Sequence, residues 1–222
     1  NQGCNGWGYE DVLPYFIKME SYTGGDSEFR GHNGPLKIRR PKPNNPITLA
    51  FLDAGKEMGY PITNDVSGFC QEGFGVFDST IHKGKRFSSA DAYLTPAQQR
   101  KNLTITTACY VKNIKFDGNT AIGVKFSDKK NNNIEAHSSK EVILSAGAIG
   151  SPQLLMLSGI GPGNHLNQLN ITTIFDSPGV GSNLNDHPDF VLKYKCKKPV
   201  SLWPKTKTIP SILAGLEWFL FS

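Results

Sequence analysis

The feature that most constrains this chain is the run VILSAGAIGSPQLLMLSGIG, residues 142–161. An apolar stretch, 141–145, reads as a buried strand and runs straight into the small residues Ala146, Gly147, Ala148 and Gly150. Ser151 then stands as an N-cap with Pro152 at the first helical position, predicting a short apolar helix closed by Gly159. Small residues at a strand-to-helix turn let backbone approach a ligand, and amides at a helix start favour anionic groups. The same residues also let a helix and a strand pack closely. Both readings follow from the residues alone.

Around this run the pattern predicts a mixed α/β fold. Apolar spacing with Asp11 as cap and Pro14 in the first turn predicts a helix within 7–20, and residues 46–59 carry helical spacing ending at Gly59. Residues 20–45 read as loop with one short strand at 35–39. Residues 88–99 read as helix with Ser89 as cap and Pro96 as interruption. From Asn102 the period changes to two. Strands are predicted at 103–107, 110–116, 122–126 and 134–137, with Asp117-Gly118 as the turn between the second and third.

Composition narrows the function classes. Hydrophobic residues make up 38%, and 13 Phe and 7 Tyr can bury a real core. No apolar run approaches the ~20 residues of a bilayer span, so no transmembrane segment is expected. The net charge of +5 comes from 24 Lys+Arg against 19 Asp+Glu, scattered without interleaved aromatics, and no nucleic-acid partner is expected. Cys4, Cys70, Cys109 and Cys196 are too far apart for a zinc site or a disulfide scaffold, which points to an intracellular protein, cytoplasmic or peripherally membrane-associated. The chain starts without Met and stops in mid-pattern at Ser222, so it reads as an internal fragment. No Rossmann GxGxxG, P-loop, GxSxG or HExxH is present.

The motif Gly147-Ala148-x-x-Ser151-Pro152-x-Leu154-Leu155-x-x-Ser158-Gly159-Ile160-Gly161 resembles the second signature of the glucose–methanol–choline (GMC) flavoprotein oxidoreductases. Further matches follow in the family's order: Gly6-Trp7-x-Tyr9, Arg30-Gly31-x-x-Gly34-Pro35, Gln71-Glu72-Gly73-Phe74-Gly75, Gly84-x-Arg86-x-Ser88-Ser89-Ala90, and Pro178-Gly179-Val180-Gly181-x-Asn183-Leu184-x-Asp186-His187. The tail, with Trp203-Pro204 and Glu217-Trp218, is similar more narrowly to the choline-oxidising members.

The resemblance implies FAD as cofactor and oxidation of a primary alcohol, choline to betaine aldehyde, by hydride transfer to flavin. It implies an electron acceptor other than oxygen. Another uncharged alcohol as substrate, or a flavin-free binding module, are the competing readings. The resemblance further implies a partial FAD domain from residues 1–33 and 76–188, and part of an antiparallel-sheet substrate domain from 34–75 and 189–222. By the same resemblance Val111, Ala146 and Gly147 contact FAD, and Asp189 faces the quaternary ammonium of the substrate. No catalytic residue is expected here, because the family's catalytic histidine and its partner lie beyond Ser222. His187 is expected to be structural, and Trp7, Trp203 and Trp218 are aromatic-cage candidates that also read as packing residues.

Overall fold

A computed structural model describes residues 3–221, without the side chains of Lys205 and Phe221. It is a mixed α/β structure, as expected, made of two compact units. One takes the chain up to Leu103 together with the part from Lys193; the other is Thr104–Leu192. The segments expected from the family follow domain membership in a longer protein, a different criterion from compactness. Among the described residues no helix is long and apolar enough to cross a membrane.

The first unit begins with α1 (Tyr9–Met19), which runs directly into β1 (Glu20–Ser21). Strand β1 pairs in parallel with β2 (Leu36–Lys37), inside the stretch where a short strand was expected. Helix α1 starts earlier than its cap signal suggested. The Asp11 carboxylate accepts the Gly8 N–H at 2.9 Å from inside the first turn, which leaves Pro14 in the helix body. Backbone closeness explains two glycines of the loop that follows. A Cβ on Gly31 would overlap the Ile17 carbonyl, and one on Gly34 would overlap the backbone of Met19.

Helix α2 (Pro46–Glu57) has its cap and first residue as the chemistry dictates: Asn45 accepts the Ile47 N–H at 2.9 Å, and Pro46 occupies the first helical position. Its Gly55 lies against Phe74, whose ring sits 5.1 Å from Phe51 and 5.6 Å from Tyr60. A hairpin of β3 (Ile81–His82) and β4 (Lys85–Arg86) leads to a π-helical turn (Ala90–Leu94) and α3 (Thr95–Ala97). Ser89 stands at the N-cap as expected but makes no side-chain cap bond, and the capping bonds come from Ser88 one residue earlier. The Ser88 N–H and hydroxyl both donate to the Asp91 carboxylate, at 2.8 and 2.6 Å, and the Ser88 oxygen accepts the Asp91 N–H.

The second unit is built on an antiparallel meander, β5 (Tyr110–Asp117), β6 (Thr120–Ser127) and β7 (Asn133–His137), in that order. The Asp117-Gly118 turn and all three strands lie where the period-two pattern placed them. Helix α4 (Gly147–Leu157) follows, then β8 (Ile160–Gly161), α5 (Gly163–Gln168) and β9 (Phe175–Asp176), with β8 and β9 paired in parallel. Leu166 of α5 is fully buried. Back in the first unit, the chain closes with a 3-10 turn (Trp203–Thr206) and α6 (Thr208–Phe221).

Two expected strands are absent. Residues 103–107 and 141–145 form no ladder, and Ile143 is 78% exposed. A strand exists only by hydrogen bonding to a neighbour, and no described segment lies beside these two as a partner. Helix α4 also begins at Gly147, four residues before the expected Ser151. The Ser151 hydroxyl still serves the helix start, accepting the Ala146 N–H at 3.1 Å from one turn inside.

Candidate functional site

The second unit holds a cavity of about 430 Å³ between one face of the meander and α4. One wall is strand: Tyr110, Val111, Ile114 and Val124. The other is helix: Gly150, Gln153, Leu154 and Leu157. The rim is the unpaired apolar stretch from Val142 to Ala146. Its lining is overwhelmingly apolar, and its volume falls in the range of ligand pockets, about 300–1,000 Å³. A whole dinucleotide is too long for it. One flat heteroaromatic end of such a ligand fits, with the remainder running out past the helix start.

Val111 and Ala146, two of the residues expected to contact the cofactor, line this one cavity, Val111 on the strand wall and Ala146 at the rim. A bulge between Val111 and Asn113 breaks the β5–β6 register next to Val111, the kind of feature that re-aims a strand residue. Ala146 is the N-cap of α4. Gly147 follows as the first helical residue but does not line the cavity. Its φ of +84° demands glycine, and a Cβ there would meet nothing within 4 Å. Space beside the helix start is therefore open, which suits a ligand backbone passing over it. An FAD adenylate end fits the donor set and shape present: apolar walls, an edge strand, and a glycine turn without a side chain.

Asp189 does not line this cavity. It is exposed, in a segment without regular structure, and makes no ion pair among the described residues. His187 is exposed as well, its N–H donating to the neighbouring Asp186 carboxylate at 2.8 Å. Trp7 and Trp203 are largely exposed, and Trp218 lies under the Lys85 ammonium, 5.6 Å from its ring centre.

Sequence reasoning named Ser158 only as part of the signature and gave it no role of its own; it is buried between α4 and β5 and bonds both. Its signal was weak: one serine closing an apolar helix before a glycine.

Comparison with known proteins bears on all of these residues together. The family model for GMC oxidoreductases matches residues 1–189. An oxygen-dependent choline dehydrogenase of Staphylococcus saprophyticus is 48% identical over 219 residues, covering 98% of this chain and 39% of the relative. The mitochondrial choline dehydrogenase of Homo sapiens is 47% identical over 217 residues, covering 98% of this chain and 36% of the relative. The chain thus spans well under half the length of the relatives it matches. Among solved structures, an FAD-dependent oxidoreductase from Chaetomium thermophilum superposes with a TM-score of 0.74 at 32% identity, covering 80% of this chain and 33% of that one. Pyridoxine 4-oxidase from Mesorbium loti gives 0.70 at 35% identity, covering 78% and 34%.

These names correct one expectation. The acceptor was expected to be other than oxygen, whereas the Staphylococcus and Brucella relatives are called oxygen-dependent. Flavins react directly with oxygen, so no separate acceptor is demanded by the chemistry.

Proposed function

The chain belongs to the GMC oxidoreductase family, and from that premise we propose that it is the central part of an FAD-dependent oxidoreductase acting on the CH–OH group of choline. The observation that carries this reading is the apolar cavity that Val111 and Ala146 both line. In the reaction a hydride leaves the carbinol carbon and a proton leaves the hydroxyl, giving the aldehyde. Bound FAD supplies the hydride acceptor.

This chain's own part is binding and orientation. Val111 and its strand edge, with Ala146 and Gly147 at the helix start, hold the adenylate end of the cofactor. Asp189 gives a cation that cannot donate hydrogen bonds a carboxylate to sit against. Residues 1–33 and 76–188 belong to the FAD domain on this reading, and 34–75 and 189–222 to the substrate domain. The groups that take the proton lie outside these 222 residues. The protein works inside the cell, in the cytoplasm or an organelle, since relatives from Homo sapiens and Mus musculus are named mitochondrial.

The test uses the full-length protein with choline and its uncharged isostere 3,3-dimethylbutan-1-ol, following oxygen uptake. Asp189→Asn is expected to raise KM for choline about tenfold, a loss of 1–2 kcal/mol in the range of desolvated cation recognition. KM for the isostere should stay within twofold. Equal activity on both substrates, unchanged by the substitution, would move the substrate to an uncharged alcohol.

A further inference from the structure

Ser158 makes two hydrogen bonds that join the two walls of the cavity. Its hydroxyl oxygen accepts the N–H of Ile114 on β5 at 2.8 Å and its hydroxyl donates to the Leu154 carbonyl on α4 at 2.6 Å. Ser158 is 7% exposed and Ile114 8%. Both partner residues line the cavity, Ile114 on the strand wall and Leu154 on the helix wall. The hydroxyl therefore stands behind the pocket, outside its lining, and sets the separation of its sides.

The strand needs such a support at this point. Among the described residues strand β5 has a strand neighbour only on its β6 side, and the register slips between Val111 and Asn113. Three residues from Val111, the Ile114 N–H faces away from the sheet and would be a buried orphan without the serine. A bulged edge strand is free to shift or twist unless something outside the sheet holds it. The helix needs it less, because the Ser158 N–H already closes α4 onto Leu154 and Leu155. What the hydroxyl adds is the tie between the elements.

We infer that Ser158 is a positioning residue for the adenylate end of the cofactor, acting through the β5–α4 spacing that sets the two walls of the cavity. The inference rests on the cavity being the adenylate site. It reaches no atom of the cofactor directly, and it assigns a function to a buried serine 44 residues from its strand partner.

The test is flavin binding by the full-length apoprotein, with FAD and FMN as probes, since FMN lacks the adenylate. Ser158→Ala is expected to weaken FAD binding at least tenfold and FMN binding less than twofold, while Ser158→Thr, which keeps the hydroxyl, stays within threefold of the parent for FAD. Equal losses for both flavins, or unchanged FAD binding, overturn the inference. Hydrogen exchange on the unsubstituted protein reads the same tie without a variant. The Ile114 amide should exchange at least tenfold more slowly with FAD bound than with FMN bound, and equal rates overturn the proposal even where the alanine variant does not fold. Val111→Glu separates this inference from the one beneath it. If Val111→Glu weakens FAD binding and Ser158→Ala does not, only the serine's role fails; if neither does, the cavity is not the adenylate site.

Discussion

Arg30 is 2% exposed and carries a full charge, so its partners must account for its presence in the interior. Its guanidinium forms a two-pronged pair with Glu20, at 2.6 and 2.9 Å, and reaches Asp65 at 2.5 Å and Asp78 at 3.0 Å. It stacks 4.1 Å from the Tyr22 ring centre. Arg40 closes the network, bonding Asp78 at 2.8 Å and Asp65 at 3.2 Å. Burial works against the Arg30 charge, but the hydrogen bonds to Glu20 and Asp78 outweigh it and raise its pKa. Burial and the nearby Asp78 likewise push the Tyr22 hydroxyl up. The cluster binds the end of α1, the loop after it and two later loops into one body. Arg30→Ala leaves Glu20 without a cationic partner and Asp65 with Arg40 alone, and is expected to destabilise the full-length protein by about 3–5 kcal/mol. Thermal or denaturant unfolding of the variant checks this, and a loss below 1 kcal/mol would mean the cluster is solvated in solution. In the sequence Arg30 stood out only as part of the Arg30-Gly31-x-x-Gly34-Pro35 motif. Its carboxylate partners lie up to 48 residues away, beyond anything local spacing can show.

Elements with their own chemistry were the legible ones. Helix α2 announced itself through its apolar spacing and Gly59, and the meander through alternation around Asp117-Gly118. These signals work because caps and two-residue turns satisfy backbone groups within a few residues. Residues 103–107 and 141–145 misled because their alternation and apolarity are those of strands, while pairing depends on what lies alongside. At the start of the π-helical turn the cap position was right, while the bonding side chain is its neighbour Ser88. Hydrogen bonds from the Ser88 side chain and backbone hold the Asp91 carboxyl below its ordinary value of 3.8. A depressed folded pKa stabilises the turn above the unfolded value, and the effect is lost as pH falls through the folded one. Ser88→Ala is therefore expected to return the Asp91 pKa towards 3.8 and to remove this part of the acid sensitivity. Carbon-detected titration of the Asp91 carboxyl is the measurement, and an unchanged midpoint would assign the shift to another cause.

The whole molecule exposes far more surface than a finished domain of its length. Its accessible area is 18235 Å², against about 10,000 Å² for a complete monomer of this size. Much of the excess is apolar: Phe190 is 88% exposed, Tyr194 85%, Ile143 78% and Phe219 77%. Large aromatic and aliphatic side chains left exposed in such number favour association with other apolar surface. The 222-residue chain expressed alone is accordingly expected to self-associate and to lose FAD on gel filtration. A monodisperse yellow monomer that melts cooperatively would contradict both expectations.

The sequence by itself determined the family and the meander, since each is written in neighbouring residues. It also named Val111 and Ala146 as cofactor contacts, one at a time and by resemblance. Only the tertiary structure decided that the two share a cavity, that Asp189 stands outside it, and that the buried Ser158 hydroxyl joins the two walls. The physical reason is range. Capping, turn and glycine constraints act over a few residues and leave a pattern in the chain, whereas a cavity or a buried charge network depends on distances between segments that the chain order does not contain.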